Sequence, residues 1–240
     1  MATSSEAMQQ GDQLYKEPVY VWQLPVRLWH WIHAISITVL GVSGYLIANP
    51  LPSLSGEASD HFLMGNIRLI HFISAYVFGI AYLVRFYWAF VGNRWSRQLF
   101  VLPVWRASWW AGVFEECKSY LFFTRKQTKN VGHNPLAQIF IWLCNFILVV
   151  VMICTGGALY SQGSGLGSWA DVAFGWVFSL VPSSQAVRMY HLMGMWLMVV
   201  FVIVHLYLAI RQEIVARHNV LGSIISGWRT WRDDGPRGPQ

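Results

Sequence analysis

Four histidines sit inside long apolar runs of this 240-residue chain: His30, His71, His191 and His205. An imidazole in an oily segment has three ordinary uses: a hydrogen bond to a neighbouring helix, a step in a proton relay, or a lone pair given to a metal. Spacing narrows the choice. His191 and His205 stand fourteen positions apart in RMYHLMGMWLMVVFVIVHLYLAIR, residues 188–211. At 3.6 residues per turn that interval is about four turns, so both rings leave almost the same helix face, about 21 Å apart along the axis. One helix can then be a shared post for two metal centres.

Composition tells where such a helix would sit. Hydrophobic residues make up 55% of the chain and charged residues only 12%, where soluble domains carry about a quarter. Four stretches, 28–48, 67–91, 135–160 and 187–210, are long enough to cross a hydrocarbon layer of about 30 Å, which takes roughly 20 residues of helix. Lipid offers backbone groups no water, so these spans must be helical. Residues 108–123 are shorter and carry Glu115, Glu116 and Lys118. They are expected to lie flat at the interface with their aromatics turned inward, and 169–181 to form a further short surface helix. The polar start of the chain lacks the charged-then-apolar design of a signal peptide, so the first span is expected to remain as an anchor.

Lysine and arginine fix the expected orientation. Two fall in the segment through Arg27, eight between Arg85 and Lys129, and five from Arg211 onward, against only Arg68 and Arg188 in the intervening loops. The asymmetry predicts that both termini and the middle loop are cytoplasmic. The net charge of +6 gathers in no compact basic patch, so nucleic acid is not the expected partner. The chain divides into a cytoplasmic tail (1–27), a four-helix transmembrane domain (28–210) and a second cytoplasmic tail (211–240), of which DDGPRGPQ is expected to be loose.

Orientation gives each histidine a depth. His71 opens span two and His191 opens span four, both on the outer side. His30 opens span one and His205 closes span four, both on the inner side. The four therefore fall into an outer pair and an inner pair. Two imidazoles from facing helices with no carboxylate nearby suit haem iron, which asks the protein only for axial ligands, better than zinc, which takes three or four. With both axial positions filled, such a centre passes electrons and offers no site to substrate. His33, one turn after His30, competes for the inner position.

Other residues carry weaker signals. Gly44, on the face of His30 but at the outer depth, has room for a macrocycle, and Gly194 could serve similarly; close helix packing is the plainer use of both. Met193, Met195 and Met198 flank His191, as packing or as an axial ligand. Cys117, Cys144 and Cys154 show no CxxC or CxxCH spacing, which removes the usual zinc, iron–sulfur and covalent-haem patterns. His61, His133 and His218 fall in loops or tails and read as ordinary polar residues.

At this point the chain resembles the b-type cytochrome subunit of membrane-bound nickel–iron hydrogenases, and more distantly that of respiratory formate dehydrogenase. PVRLWHW at 25–31, GYLIANPLPSLSGEA at 44–58, IRLIH at 67–71, RFYWAFVGNRWSRQLFVLPVW at 85–105, GHNPLAQ at 132–138 and the H-x13-H of span four carry the likeness. RLWHW and H-x13-H belong to the wider diheme group; RFYWAFVGNR and GHNPLAQ look specific to the hydrogenase branch. The resemblance implies His30 rather than His33 as the inner ligand with His205, and His71 with His191 at the outer haem.

The resemblance also implies an all-α integral membrane protein holding two non-covalent b haems in the bacterial cytoplasmic (inner) membrane. It implies partners in the small and large subunits of a periplasmic hydrogenase, with the small subunit's iron–sulfur chain feeding the outer haem. Quinone is the implied electron acceptor, met near Asn134 with His133 assisting proton uptake; Asn134 as a plain helix cap is an equal reading. On this view the chain is an electron-transfer subunit, not a stand-alone enzyme. Glu57, Asp60 and His61 form an outer loop that either meets the partner or is simply solvated. Trp105, Trp109, Trp110, Trp228 and Trp231 read as interfacial anchors. Two alternatives remain: the cytochrome of a formate- or thiosulfate-type enzyme, and a small transporter with a histidine proton relay, which would be colourless.

Overall fold

The computed structural model describes residues 18–52, 62–121, 123, 131–215 and 219–230. Glu57, Asp60, His61, His218, Trp231 and the tail DDGPRGPQ lie outside the described residues. The elements run β1 (Val19–Tyr20), α1 (Leu24–Ala48), α2 (Leu63–Val91), α3 (Ala107–Tyr120), α4 (Pro135–Ser164), α5 (Trp169–Phe174), α6 (Val177–Leu180), α7 (Ser184–Val215), α8 (Val220–Ser226) and β2 (Trp228–Arg229). Four of them, α1, α2, α4 and α7, are long and apolar enough to cross a membrane. α1 and α2 begin about one turn before their apolar runs and end with them, α4 runs about one turn past the end of its run, and α7 extends past its run at both ends.

Local chemistry sets those ends. Pro135 occupies the first turn of α4, where its missing N–H costs nothing, and Asn134 Oδ1 accepts from Ala137 N at 2.6 Å. Pro25 opens α1 in the same way. Gln23 just before it accepts from the Trp88 indole (3.0 Å) and from Asn93 N (2.9 Å), tying the start of α1 to the end of α2. Within α4 the residues Leu143–Leu148 widen into a π turn. Such a turn loosens the usual backbone ladder, and here the Asn145 carbonyl accepts the Tyr82 hydroxyl of α2 at 2.8 Å.

α1 packs along α2, and α7 packs on α4 and α1. Phe78, Tyr82, Val149, Met198 and Phe201 meet at mid-height with Ile37 and Leu40, so all four long helices contribute to one apolar layer. Ile35, Leu83, Phe90 and Ile203 remain more than half exposed on the outside, as expected when the surrounding solvent is lipid. One end is closed by an antiparallel pairing of β1 with β2, which packs Val21, Trp22 and Val26 against Trp88, Trp95 and Ile224. The short helices α5 and α6 cover the other end around Ala158, Val177 and Val187.

The shorter segment α3 is amphipathic in an unexpected sense. Trp109, Val113, Glu116 and Ser119 form its buried stripe, while Trp110 and Phe114 stay exposed. Its aromatics are thus split between two faces instead of all turning inward. The reason is polar: Trp109 Nε1 donates to Gln138 Oε1 at 2.9 Å, and Glu116 meets Asn134.

Candidate haem centres

α7 is an unbroken helix from Ser184 to Val215, so His191 and His205 share a face about 21 Å apart. Each meets one histidine of another helix. His71 and His191 have ring centroids 6.5 Å apart with planes at 73°, and His30 and His205 have centroids 6.4 Å apart with planes at 47°. Two metal–imidazole bonds of about 2 Å, plus the roughly 1 Å from each nitrogen to its ring centre, span about 6 Å. Both gaps therefore admit one metal atom between the facing rings. Among the described residues no group of three or more His, Cys, Asp or Glu gathers as a bare ion site, so two protein donors per metal is what this chain offers at each height.

The outer pair is held by contacts absent from the sequence reading. Ser43 Oγ lies 2.9 Å from His71 Nδ1, and Thr155 Oγ1 lies 2.9 Å from His191 Nδ1. Each hydroxyl spends its own hydrogen on the carbonyl four residues back, Ser43 on Val39 O (2.6 Å) and Thr155 on Val151 O (2.7 Å). Toward the imidazoles they are placed to accept, and the Leu40 backbone is a second partner of His71, which puts the proton on Nδ1 and leaves the Nε2 lone pair for a metal. A glycine follows each hydroxyl. A Cβ on Gly44 would come 3.3 Å from His71 Cε1, and one on Gly156 would come 3.0 Å from His191 Cε1. Gly44 thus makes room for the ligand ring itself. Gly194 is closed by the Met152 sulfur.

The inner pair sits in a different environment. His30 Nδ1 is buried with no hydrogen-bond partner among the described residues. Three arginines have buried donors with no partner among the described residues. Arg85 is 3% exposed, donates Nη2 to Ser96 O (2.6 Å), sits over the rings of Trp29 and Phe100, and leaves Nε and Nη1 unpaired. Arg229 is 4% exposed, donates to Val131 O and Gly132 O, and leaves Nε unpaired. Arg27 bonds Ile225 O and also leaves Nε unpaired, as does the Trp29 indole. Unpaired buried N–H groups on cations are costly and call for an anion. The two propionates of a haem are such anions, so the donor set at this end fits that group.

The remaining sequence candidates resolve as follows. His33 is buried but turns toward α2, stacking on Phe78 at 4.1 Å and 21°, away from the His30–His205 gap. Met195 and Met198 are buried and Met193 is exposed. Cys117, Cys144 and Cys154 are free. Trp105, Trp110 and Trp228 are exposed, whereas Trp109 is buried. His133 packs against Trp22 and is held neutral: desolvation, with Arg229 and Arg85 nearby, pushes its pKa down to about 3. It is therefore poorly suited to hand on a proton near neutrality.

Asn134 caps α4 with its oxygen while its Nδ2 reaches Tyr120 Oη (3.3 Å) and Glu116 Oε2 (3.4 Å). Gln212 also reaches Tyr120 Oη, and Arg211 lies over the Tyr120 ring. Burial pushes the Glu116 carboxyl above its ordinary range, against the pull of Arg211. This buried polar cluster was legible only as a capping asparagine, because Glu116 looks like an interfacial charge until α3 is folded onto α4.

Residues 21–227 match the prokaryotic cytochrome b561 family. The chain is 50% identical over 219 residues, 91% of each chain, to the probable Ni/Fe-hydrogenase B-type cytochrome subunit of Azotobacter chroococcum mcd 1. It is 50% identical over 224 residues to the similarly named protein of Bradyrhizobium diazoefficiens, covering 93% of this chain and 91% of that one. With the probable Ni/Fe-hydrogenase 1 B-type cytochrome subunit of Escherichia coli K12 it shares 45% over 213 residues, 88% and 90% of the two chains. With its four apolar helices and that match over most of its length, the chain belongs to the prokaryotic cytochrome b561 family, as a multi-pass membrane cytochrome of the b type.

Proposed function

We propose that this chain is a diheme subunit that anchors a periplasmic nickel–iron hydrogenase to the bacterial cytoplasmic membrane and passes its electrons to quinone. The observation that carries the reading is the stacking of two facing imidazole pairs on one helix, His71–His191 above His30–His205. The names borne by relatives at 45–50% identity favour a hydrogenase as the partner. The lysine and arginine distribution supports both termini in the cytoplasm and the His71–His191 end outside.

Bound haem supplies one-electron exchange between ferric and ferrous iron. The protein supplies the rest. His71 with His191, and His30 with His205, would hold the two haems. Arg27, Arg85 and Arg229 would supply the donors for the propionates of the haem at the His30–His205 pair. Phe78, Val149, Met198 and Phe201 keep water out of the interval between the two heights. Gly44 lets the His71 ring stand close to α1. On the inner side Asn134 Nδ2, which meets Glu116 Oε2 and Tyr120 Oη, would turn toward a quinone carbonyl, and Glu116, whose carboxyl burial pushes above its ordinary range, lies beside it as the proton source.

The test is purification of the native complex with haem and metal analysis. Two non-covalent haems per chain together with nickel support the reading. A molybdenum partner would move the chain to a formate- or thiosulfate-type enzyme, and a colourless preparation would leave a transporter.

A further inference from the structure

We propose that Ser43 and Thr155 are positioning residues that set the electron affinity of the outer haem. Each forms, with the glycine after it, a saddle in which one imidazole is fixed. The proposal rests on the diheme reading above.

The two saddles are built alike on different helices. Ser43–Gly44 of α1 receives His71 of α2, and Thr155–Gly156 of α4 receives His191 of α7. The hydroxyl lies 2.9 Å from Nδ1 in both, and in both a Cβ on the glycine would crowd Cε1, at 3.3 Å on Gly44 and 3.0 Å on Gly156. Two points of contact define a ring plane. The hydroxyl fixes the tautomer and the rotation about χ2, and the missing Cβ admits the ring edge. Because each hydroxyl already donates to its own helix carbonyl, it is placed to receive the Nδ1 proton, at His71 beside the Leu40 backbone.

The consequence is electronic. An imidazole that donates its Nδ1–H gains basicity at Nε2. A more basic ligand favours ferric over ferrous iron, which lowers the reduction potential. At the inner site His30 Nδ1 has no partner among the described residues, and the buried Arg85 sits over the ring of Trp29, the residue before His30. That cation favours the added electron. Both influences make the outer haem the weaker electron holder, so an electron entering from outside is drawn inward.

Thr155→Val keeps the side-chain shape and removes the hydroxyl, whereas Thr155→Ser keeps the hydroxyl and loses the methyl. The measurement is an optical redox titration of the purified complex, resolving both haems, on wild type, these two variants and Ser43→Ala. Thr155→Val and Ser43→Ala are expected to raise the same one of the two midpoints and leave the other in place, with Thr155→Ser close to wild type. Loss of that haem in Thr155→Val with retention in Thr155→Ser supports the proposal equally. Unmoved midpoints, shifts of different haems in Thr155→Val and Ser43→Ala, or equal changes in Thr155→Ser and Thr155→Val overturn it. A wild type that shows no second titrating haem defeats the underlying reading instead.

Discussion

His33 stacks on Phe78 with ring centroids 4.1 Å apart and planes 21° from parallel. That contact commits the ring to the apolar layer between the two histidine pairs and separates it from His30, whose ring faces His205 at 6.4 Å. The two histidines sit one turn apart in WHWIH, so spacing alone treats them as equals. Helix rotation does not. His30→Ala is expected to remove one haem of two, while His33→Phe, which preserves the stack, retains both. Pyridine haemochrome quantification on purified protein decides it, and the opposite result would reverse the inner assignment.

The same logic separates the two heights. His71→Ala and His191→Ala should each abolish the outer haem and spare the inner, and His205→Ala should do the reverse. Removing one partner of a facing pair leaves the other imidazole with an open axial position, so a residual haem at the damaged site would turn high-spin. Hydrogen-to-quinone electron flow should fall to background in all three, while hydrogen oxidation with a soluble dye persists. Paired haem content and low-spin absorbance report the outcome. Loss of the same haem in His71→Ala and His205→Ala would break the pairing.

Much of this geometry was legible in the sequence, and the part that was not has a common cause. His191 and His205 announced themselves because a fourteen-residue interval is nearly an integral number of turns, and His30 and His71 because hydropathy and the charge count gave them a depth. Ser43, Thr155 and Gly156 gave no such signal. A hydroxyl in a span ordinarily bonds its own i−4 carbonyl, as both do here, and only the neighbouring helix reveals the second role. Arg85 was hidden because the inside-rule tally treats it as a surface charge. Burial at 3% exposure follows from the fold of the 93–103 segment over the end of α2.

Ring planes predict a spectroscopic difference between the sites. The outer rings lie at 73° and the inner rings at 47°. Ligand planes near perpendicular leave the ferric d-orbitals nearly degenerate and give a strongly anisotropic low-spin EPR signal, whereas smaller angles give an ordinary rhombic one. Low-temperature EPR of the oxidised complex should therefore contain one signal of each kind. His191→Ala should delete the anisotropic one. Two rhombic signals would contradict the outer geometry.

Arg85 offers a test of the inner donor set. Among the described residues its guanidinium bonds Ser96 O and leaves two buried nitrogens without a partner. Arg85→Gln removes the charge and the fork together, and Arg85→Lys keeps only a point charge. If the unpaired nitrogens hold a propionate, affinity for the inner haem should fall about 10–100-fold in Arg85→Gln, with Arg85→Lys in between and the outer haem unaffected. Haem retention during dilution, followed optically, measures this. Equal loss of both haems would indicate general unfolding.

Glu116 carries a pH signature with a definite sign. Burial raises its carboxyl pKa above the ordinary value, with Arg211 opposing. Asn134 and Tyr120 lie against it from α4 and from its own helix. Between the unfolded pKa and the raised folded one, the folded chain binds more protons than the unfolded chain, so this residue's contribution to stability falls as pH rises through that window. It is fully restored below the unfolded pKa. Glu116→Gln replaces the titrating carboxyl with an amide of the same shape and should flatten that slope, read as Tm against pH for detergent-solubilised protein. The same variant should slow quinone reduction while leaving haem content and reduction of both haems by hydrogen intact, because the amide keeps the contacts of Asn134 and Tyr120 but has no proton to give. A quinone reductase rate equal to wild type, with the Tm slope flattened, would make Glu116 a structural acid only and move the proton source elsewhere on the inner face.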